Sequence, residues 1–247
     1  MKKIAIFDEE LDIRISKDDT FRVYISRPEE EKEKRMGSSL IFLMHGGGAS
    51  SYTWAPIVSG LRKHAYVAAF DARGHGHSIS SNEANLSVEV LIQDAMNVLE
   101  RIVRYVKEDA KSEEKVSVAM VGHSFGGAIA AKVTAKFTSS KSMELKCLVL
   151  IDICEGTAMN SLGHTKVFLQ RRPSHFRTEQ DAVNWSLNKG TLRNRSSAAM
   201  SVPDTLVHEK TYVSPISSNL LLRFCLFFSL HHSYSHTHTH THTHNTG

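Results

Sequence analysis

The chain has 247 residues, of which 41% are hydrophobic and 23% charged, a composition typical of one globular α/β domain with a sizeable core. Its net charge of +4 comes from 30 basic and 26 acidic residues spread along the sequence, which argues against nucleic-acid binding. The longest apolar stretch, residues 219–230, falls short of the ~18 residues that a membrane span needs and is interrupted by Arg223. No membrane association is expected.

The N-terminus and the cysteines indicate the cellular compartment. The opening MKKIAIFDEELD has too few apolar residues before Asp8 for a signal peptide, so we expect a cytoplasmic or nuclear location. Cys147, Cys154 and Cys225 lack CxxC spacing, which predicts neither a disulfide framework nor a zinc site. No metal and no cofactor are expected.

In chain order, a charged lead-in is followed by FRVYI (21–25), whose period-two alternation predicts a strand, and by a charged loop over 27–39. Four continuous apolar runs of strand length then follow at 40–44, 66–70, 116–121 and 145–151. Strands that are covered on both faces have this pattern, so these runs predict a parallel sheet.

Helical patterns lie between these strands. The clearest runs over 88–106 with apolar residues at i, i+3, i+4 and i+7, and shorter helices are predicted at 54–61 and 127–137. The alternation predicts an α/β fold with a mostly parallel, doubly wound sheet, whose ligands bind at the carboxyl ends of the strands.

The pattern changes after Ile151. Amphipathic pieces at 161–176 and 179–190, without strands, predict a helical cap over about 158–194. From Ser214 onward the chain has no acidic residue and ends in alternating His and Thr. We therefore predict an α/β domain over 1–213 and a low-complexity, disordered tail over 214–247, which we interpret as intron read-through, an alternative exon or a mistaken gene model.

One motif points to nucleophilic catalysis. The sequence VGHSFGGAIA (121–130) follows an apolar strand and opens a helix, which is the context of a nucleophile elbow centred on Ser124. Small residues are needed two positions before and after the serine because the strand and the helix approach closely there. Gly122 and Gly126 satisfy this requirement.

A glycine-rich turn offers oxyanion donors. HGGG (45–48) ends the first core strand, and in the elbow context the backbone N–H groups of Gly47 and Phe125 are the candidate donors to a developing oxyanion. A phosphate-cradling loop is the alternative, but the sequence has no GxxxxGK[ST] pattern.

Two acidic segments follow core strands. In FDARGHGHS (70–78), Asp71 and Arg73 are expected to fix a turn, and its two histidines to be loop residues. Asp152 ends the strand at 145–151, at the same sheet edge as Ser124, where a carboxylate can orient a histidine. Glu155 is the alternative acid, and a purely structural role for Asp152 stays open.

Several segments together resemble the protein phosphatase methylesterase family of α/β-hydrolases, over about residues 18–213. They are GHSFGGAIA, MHGGGASSYTW, LVLIDICEGTAMNSL, FLQRRPSHF and AVNWSLNKGTLRN. The resemblance implies hydrolysis of the methyl ester on the C-terminal leucine of the protein phosphatase 2A catalytic subunit, with that subunit and its holoenzyme as partners. It implies Ser124 as nucleophile, Asp152 as triad acid, docking through the segment after Asp152, and no metal or cofactor.

The base of the triad has no candidate in the sequence. In the family the histidine lies on a loop after the last strand, whereas the resemblance ends near Val213. His208 lies in a polar stretch with no predicted strand, and the histidines of the tail have nothing to hold them near Ser124. We expect the catalytic histidine to be absent and this chain to be inactive or weak. The alternatives are a noncatalytic phosphatase-binding paralogue and a small-molecule carboxylesterase of the same fold.

Overall fold

The computed structural model describes residues 6–29, 38–137, 140–152, 173–189, 191–208 and 213–215. The described strands are β1 (Glu9–Arg14), β2 (Thr20–Ser26), β3 (Ser39–Met44), β4 (Tyr66–Phe70), β5 (Val116–His123), β6 (Met143–Ile151), β7 (Leu206–His208) and β8 (Val213–Pro215). The described α-helices are α1 (Ala55–Leu61), α2 (Val88–Ala110), α3 (Phe125–Lys136), α4 (Glu179–Asn188) and α5 (Arg195–Ser201). Short 3₁₀ helices cover Ser51–Trp54 and Pro203–Thr205.

Six of the strands form one sheet in the order β1-β2-β4-β3-β5-β6. The pairs β4–β3, β3–β5 and β5–β6 are parallel, whereas β1–β2 and β2–β4 are antiparallel. The predicted α/β fold with a mostly parallel sheet is therefore confirmed. The carboxyl ends of β3, β4, β5 and β6 lie at one edge of the sheet. Each is followed by one of the segments that the sequence indicated as a candidate for catalysis or for a structural turn.

Helices cover both faces of the central strands of the sheet. Alternate residues of β2, β3 and β4, such as Phe42 and Phe70, pack with α2 and α3 in the larger apolar cluster. Their neighbours on the opposite face, such as Tyr24 and Leu43, pack with Trp54 and α1. This alternation of sides is what a pleated strand between two helical layers requires.

Three expectations about strands are wrong. The charged lead-in contains β1, an edge strand whose residues alternate between half-buried and exposed positions. The stretch after Ile151 was expected to have no strand, but β7 pairs with β8, and His208 ends β7. Strand β6 was predicted to be covered on both faces, but its residues Val149, Leu150 and Ile151 are each more than 40% exposed.

The predicted cap is described only in part. Residues 158–172 lie outside the described residues, as do the tail beyond Pro215 and the alternative acid Glu155. The piece predicted at 179–190 coincides with α4, which begins with Thr178 accepting a hydrogen bond from the backbone of Asp181. No helix among the described segments is long and apolar enough to cross a membrane.

Candidate active site

Ser124 occupies the turn between β5 and α3. Its backbone has φ +49° and ψ −113°, a strained conformation for a residue with a side chain and typical of a nucleophile elbow. Two backbone hydrogen bonds hold it: its N–H donates to the Ile151 carbonyl (2.9 Å), and its carbonyl accepts from the Ala128 N–H (3.0 Å). The strain is thus maintained by both the neighbouring strand and the helix.

The glycines beside Ser124 are required by close contacts. A Cβ atom on Gly122 would collide with the backbone of Gly126 and Gly127. A Cβ atom on Gly126 would collide with the carbonyl oxygens of Met44 and His45. The elbow therefore touches the end of β3 directly, which brings the glycine-rich turn and the serine to the same place.

We expect Gly126→Ala to lower the free energy of unfolding by about 3 kcal/mol, because the three nearest atoms to the new methyl group are backbone atoms of Met44 and His45, which cannot rotate away. Urea denaturation measures the change. Gly60→Ala is the matched control: nothing lies within 4 Å of a Cβ there, so alanine should stabilise helix α1 by ~0.5–1 kcal/mol. Equal effects of the two variants would contradict the close approach at Gly126.

The glycine-rich segment after β3 forms a tight turn. The Ala49 N–H donates to the Gly46 carbonyl (3.2 Å), and Gly48 has φ +73°. These features match a type II turn with Gly47 and Gly48 at its central positions. Phe125 is the first residue of α3, so its N–H belongs to the amides at the positive end of the helix. The two predicted oxyanion donors thus lie on elements in contact.

Asp152 directly follows β6 in a left-handed conformation with φ +54°. Its side chain is 83% exposed, and its Oδ2 lies 3.8 Å from His123 Nε2. The expected placement at the same sheet edge as Ser124 is met, since the Ile151 carbonyl next to it accepts the Ser124 N–H. The catalytic roles of Asp152, Ser124, Gly47 and Phe125 stay predictions.

Two buried histidines adjoin the turn, and the sequence pattern predicted no functional role for either of them. His45 Nε2 accepts from the Ala72 N–H (3.0 Å), and its Nδ1 donates to the Gly46 carbonyl (2.8 Å). His75 Nε2 accepts from the Gly48 N–H (2.9 Å), and its Nδ1 donates to the Arg73 carbonyl (2.9 Å). Burial lowers the pKa of His45 to about 4 and that of His75 to about 3. Both rings are neutral at pH 7 with both nitrogens engaged, so neither is available as a base.

The buried histidines make stability depend on pH. The pKa of His45 in the folded protein, about 4, lies below the ordinary histidine value of 6.5 that applies in the unfolded chain. The unfolded chain therefore binds the extra proton as pH falls from 6.5 towards 4, and the folded state loses stability. Between pH 7.5 and pH 5, we expect the unaltered chain to lose about 2 kcal/mol more stability than His45→Gln, which cannot titrate. Urea midpoints at the two pH values measure the difference.

His64→Gln is the control for this comparison. His64 is exposed, so its replacement removes a histidine without changing the buried pair, and it measures the general effect of losing a histidine side chain. A slope for His45→Gln that equals that of the unaltered chain would contradict the burial of a neutral imidazole at position 45.

Comparison with known proteins shows which fold family this chain resembles. A family model described as the alpha/beta hydrolase fold matches residues 39–223. The chain is 37% identical over 213 residues to a protein of Caenorhabditis elegans named probable protein phosphatase methylesterase 1, covering 83% of this chain and 53% of that protein. Protein phosphatase methylesterase 1 of Mus musculus is 33% identical, with 83% of this chain and 48% of that protein covered. The chain therefore spans about half the length of these two curated relatives.

Solved structures agree on the fold. The crystal structure of E-2-(acetamidomethylene)succinate hydrolase has a TM-score of 0.66 at 17% identity, covering 90% of this chain and 74% of that one. The thioesterase domain from the curacin biosynthetic pathway has a TM-score of 0.58 at 16% identity, covering 89% and 77%. Sheet order, elbow and family model agree, and the chain belongs to the α/β-hydrolase fold family.

Proposed function

We propose that this chain is a serine carboxylesterase that removes the methyl ester from the C-terminal leucine of the protein phosphatase 2A catalytic subunit. The observation that carries the proposal is the strained Ser124, whose neighbours His123 and Gly126 lie against the glycine-rich turn, in a chain similar to proteins named protein phosphatase methylesterase 1. The substrate and its holoenzyme are the partners, and the compartment is the cytoplasm or nucleus.

The proposed chemistry is acyl transfer in two steps. The Ser124 hydroxyl adds to the ester carbonyl, and the N–H groups of Gly47 and Phe125 donate to the oxyanion of the tetrahedral intermediate. Collapse forms the Ser124 ester and releases methanol, which takes the hydroxyl proton through a general base. Water then cleaves the acyl-enzyme, giving the free leucine carboxylate and restoring Ser124.

Asp152 is proposed to orient the general base and to stabilise it when it is protonated. The base itself is unassigned among the described residues. His45 and His75 are unsuitable because each ring is held by two hydrogen bonds to the backbone. The docking of the phosphatase is proposed to involve the region from Asp152 to Asn194.

The test is to incubate the purified 247-residue chain with carboxymethylated phosphatase catalytic subunit and to follow the mass of its C-terminal peptide. The expected result is a slow loss of one methyl ester group, dependent on Ser124, because no described residue is assigned as the general base. An unchanged methyl ester together with hydrolysis of small esters would favour the small-molecule carboxylesterase instead.

A second candidate is a noncatalytic protein that binds the phosphatase and competes with active esterases. The commitment of His45 and His75 to backbone hydrogen bonds favours it, because a serine without a base gains little nucleophilicity. In a pull-down, this candidate predicts capture of the phosphatase without loss of its methyl ester. A failure to capture it would exclude binding.

A further inference from the structure

The ring of His75 contacts both elements that carry the proposed oxyanion donors. On one side, its Nε2 accepts the Gly48 N–H at 2.9 Å, within the turn that also contains Gly47. On the other side, its ring stacks on the Phe125 ring, with centroids 5.7 Å apart and an interplanar angle of 28°. One buried side chain thus lies between the two donor-bearing elements.

The bond to Gly48 controls the orientation of a peptide plane. In a type II turn the peptide between the two central residues is rotated by about 180° relative to a type I turn. The Gly48 N–H belongs to that peptide, so the hydrogen bond to His75 fixes the type II form. Because glycine at both central positions allows either form, the turn residues alone leave the choice open.

His75 is itself held rigidly in the turn after β4. Its own N–H donates to the Ala72 carbonyl (2.9 Å), and its Nδ1 donates to the Arg73 carbonyl (2.9 Å). In the same turn, the buried Asp71 carboxylate accepts hydrogen bonds from the N–H groups of Ser51 (2.8 Å) and His77 (2.9 Å). The Asp71 carboxylate thereby joins the segment after β3 to the segment after β4.

We propose that His75 is a positioning residue for the oxyanion hole. The neutral ring accepts the Gly48 N–H, fixes the turn that presents the Gly47 N–H, and packs on Phe125 so that the two donors converge on one point. This inference rests on the proposed function for its kinetic consequence, whereas its structural consequence, the fixed Gly48 amide, does not depend on catalysis.

Two substitutions test the inference. His75→Ala removes the acceptor, whereas His75→Gln keeps an amide oxygen for the Gly48 N–H and an amide N–H for the Arg73 carbonyl. For hydrolysis of p-nitrophenyl acetate, we expect His75→Ala to lower kcat by ~10²-fold with KM within about threefold, and His75→Gln to recover most of the loss. Ile102→Val, a mild core change in α2, which carries neither of the proposed oxyanion donors, should leave both constants unchanged.

Amide hydrogen exchange at Gly48, followed by NMR, is the readout independent of activity. We expect His75→Ala to accelerate exchange at Gly48 by ~10-fold or more while amides within β3 and β5 keep their protection, and His75→Gln to restore it. Unchanged Gly48 exchange in His75→Ala, or equal acceleration at every amide, would overturn the inference. If no hydrolysis depends on Ser124 while Gly48 exchange changes as expected, the proposed function fails and the positioning role stands.

Discussion

Ser124→Ala is expected to remove the ester hydrolysis that depends on the elbow, a loss of ~10⁴–10⁶-fold for a site in which a general base completes the triad. The reason is the geometry of the elbow: the side chain leaves a backbone held at φ +49° between β5 and α3, and no other described serine has this conformation. The measurement is the initial rate with p-nitrophenyl acetate and with the methylated phosphatase.

The control for this substitution is Ser196→Ala, at an exposed position of α5, which should leave the rate unchanged. Members of a triad act as a unit, so removing the serine from a site without a base has little further effect. Equal, slow rates for the unaltered chain and Ser124→Ala would therefore contradict an assembled triad and leave phosphatase binding as the function.

The second large effect concerns stability. We expect Asp94→Ala to lower the free energy of unfolding by about 3 kcal/mol, because it removes the two-pronged partner of a buried guanidinium and leaves only a longer contact with the Asp19 carboxylate (3.4 Å). Arg73 donates to Asp94 through Nε (2.7 Å) and one terminal nitrogen (2.8 Å), and their side chains are only 6% and 9% exposed. The pair fastens the turn that carries His75 to helix α2.

An exposed pair of similar geometry provides the control. Arg22 contacts Asp12 through Nε (2.7 Å) and a second nitrogen (3.3 Å), but the Asp12 side chain is 59% exposed. Asp12→Ala should therefore cost less than ~1 kcal/mol. Urea denaturation of both variants makes the comparison, and equal losses would contradict the role of burial.

Replacement of both buried partners separates the cost of a poorly paired buried charge from the value of the pair. Burial raises the pKa of the Asp94 carboxyl even though Arg73 opposes this shift, so the carboxylate is held at a desolvation cost. We expect Arg73→Met combined with Asp94→Leu to recover most of the stability that Asp94→Ala loses.

The sequence predicted the sheet well where apolar runs were continuous. The run at 66–70 coincides with β4, and the others lie within β3, β5 and β6, because a continuous apolar run of strand length between helical patterns is typical of a parallel strand. It failed at β1, where edge position permits charged residues such as Glu9 and Asp12, and at β7 and β8, which are three residues long. Such strands form because another strand pairs with them, and their own hydrophobic pattern is too weak or too short to predict them.

The candidate site, too, could be predicted from the sequence only in part. Ser124 and its glycines could be located from the sequence because the close approach of strand and helix limits the residues that fit. The role of His75 could not, since its bond joins backbone and ring atoms 27 positions apart and exists only after both turns have formed. The GHG sequence around His75 predicted a turn, but it did not indicate that the ring would accept a hydrogen bond from the Gly48 N–H.

The central claim is that Ser124 is the nucleophile. The most direct measurement is peptide mass spectrometry of the chain after reaction with a fluorophosphonate, which forms a stable phosphonyl ester on an activated serine. The account predicts a single adduct on the peptide that contains Ser124, absent from Ser124→Ala and from chain unfolded in urea. An adduct at another residue, or no adduct on the folded chain, would contradict it.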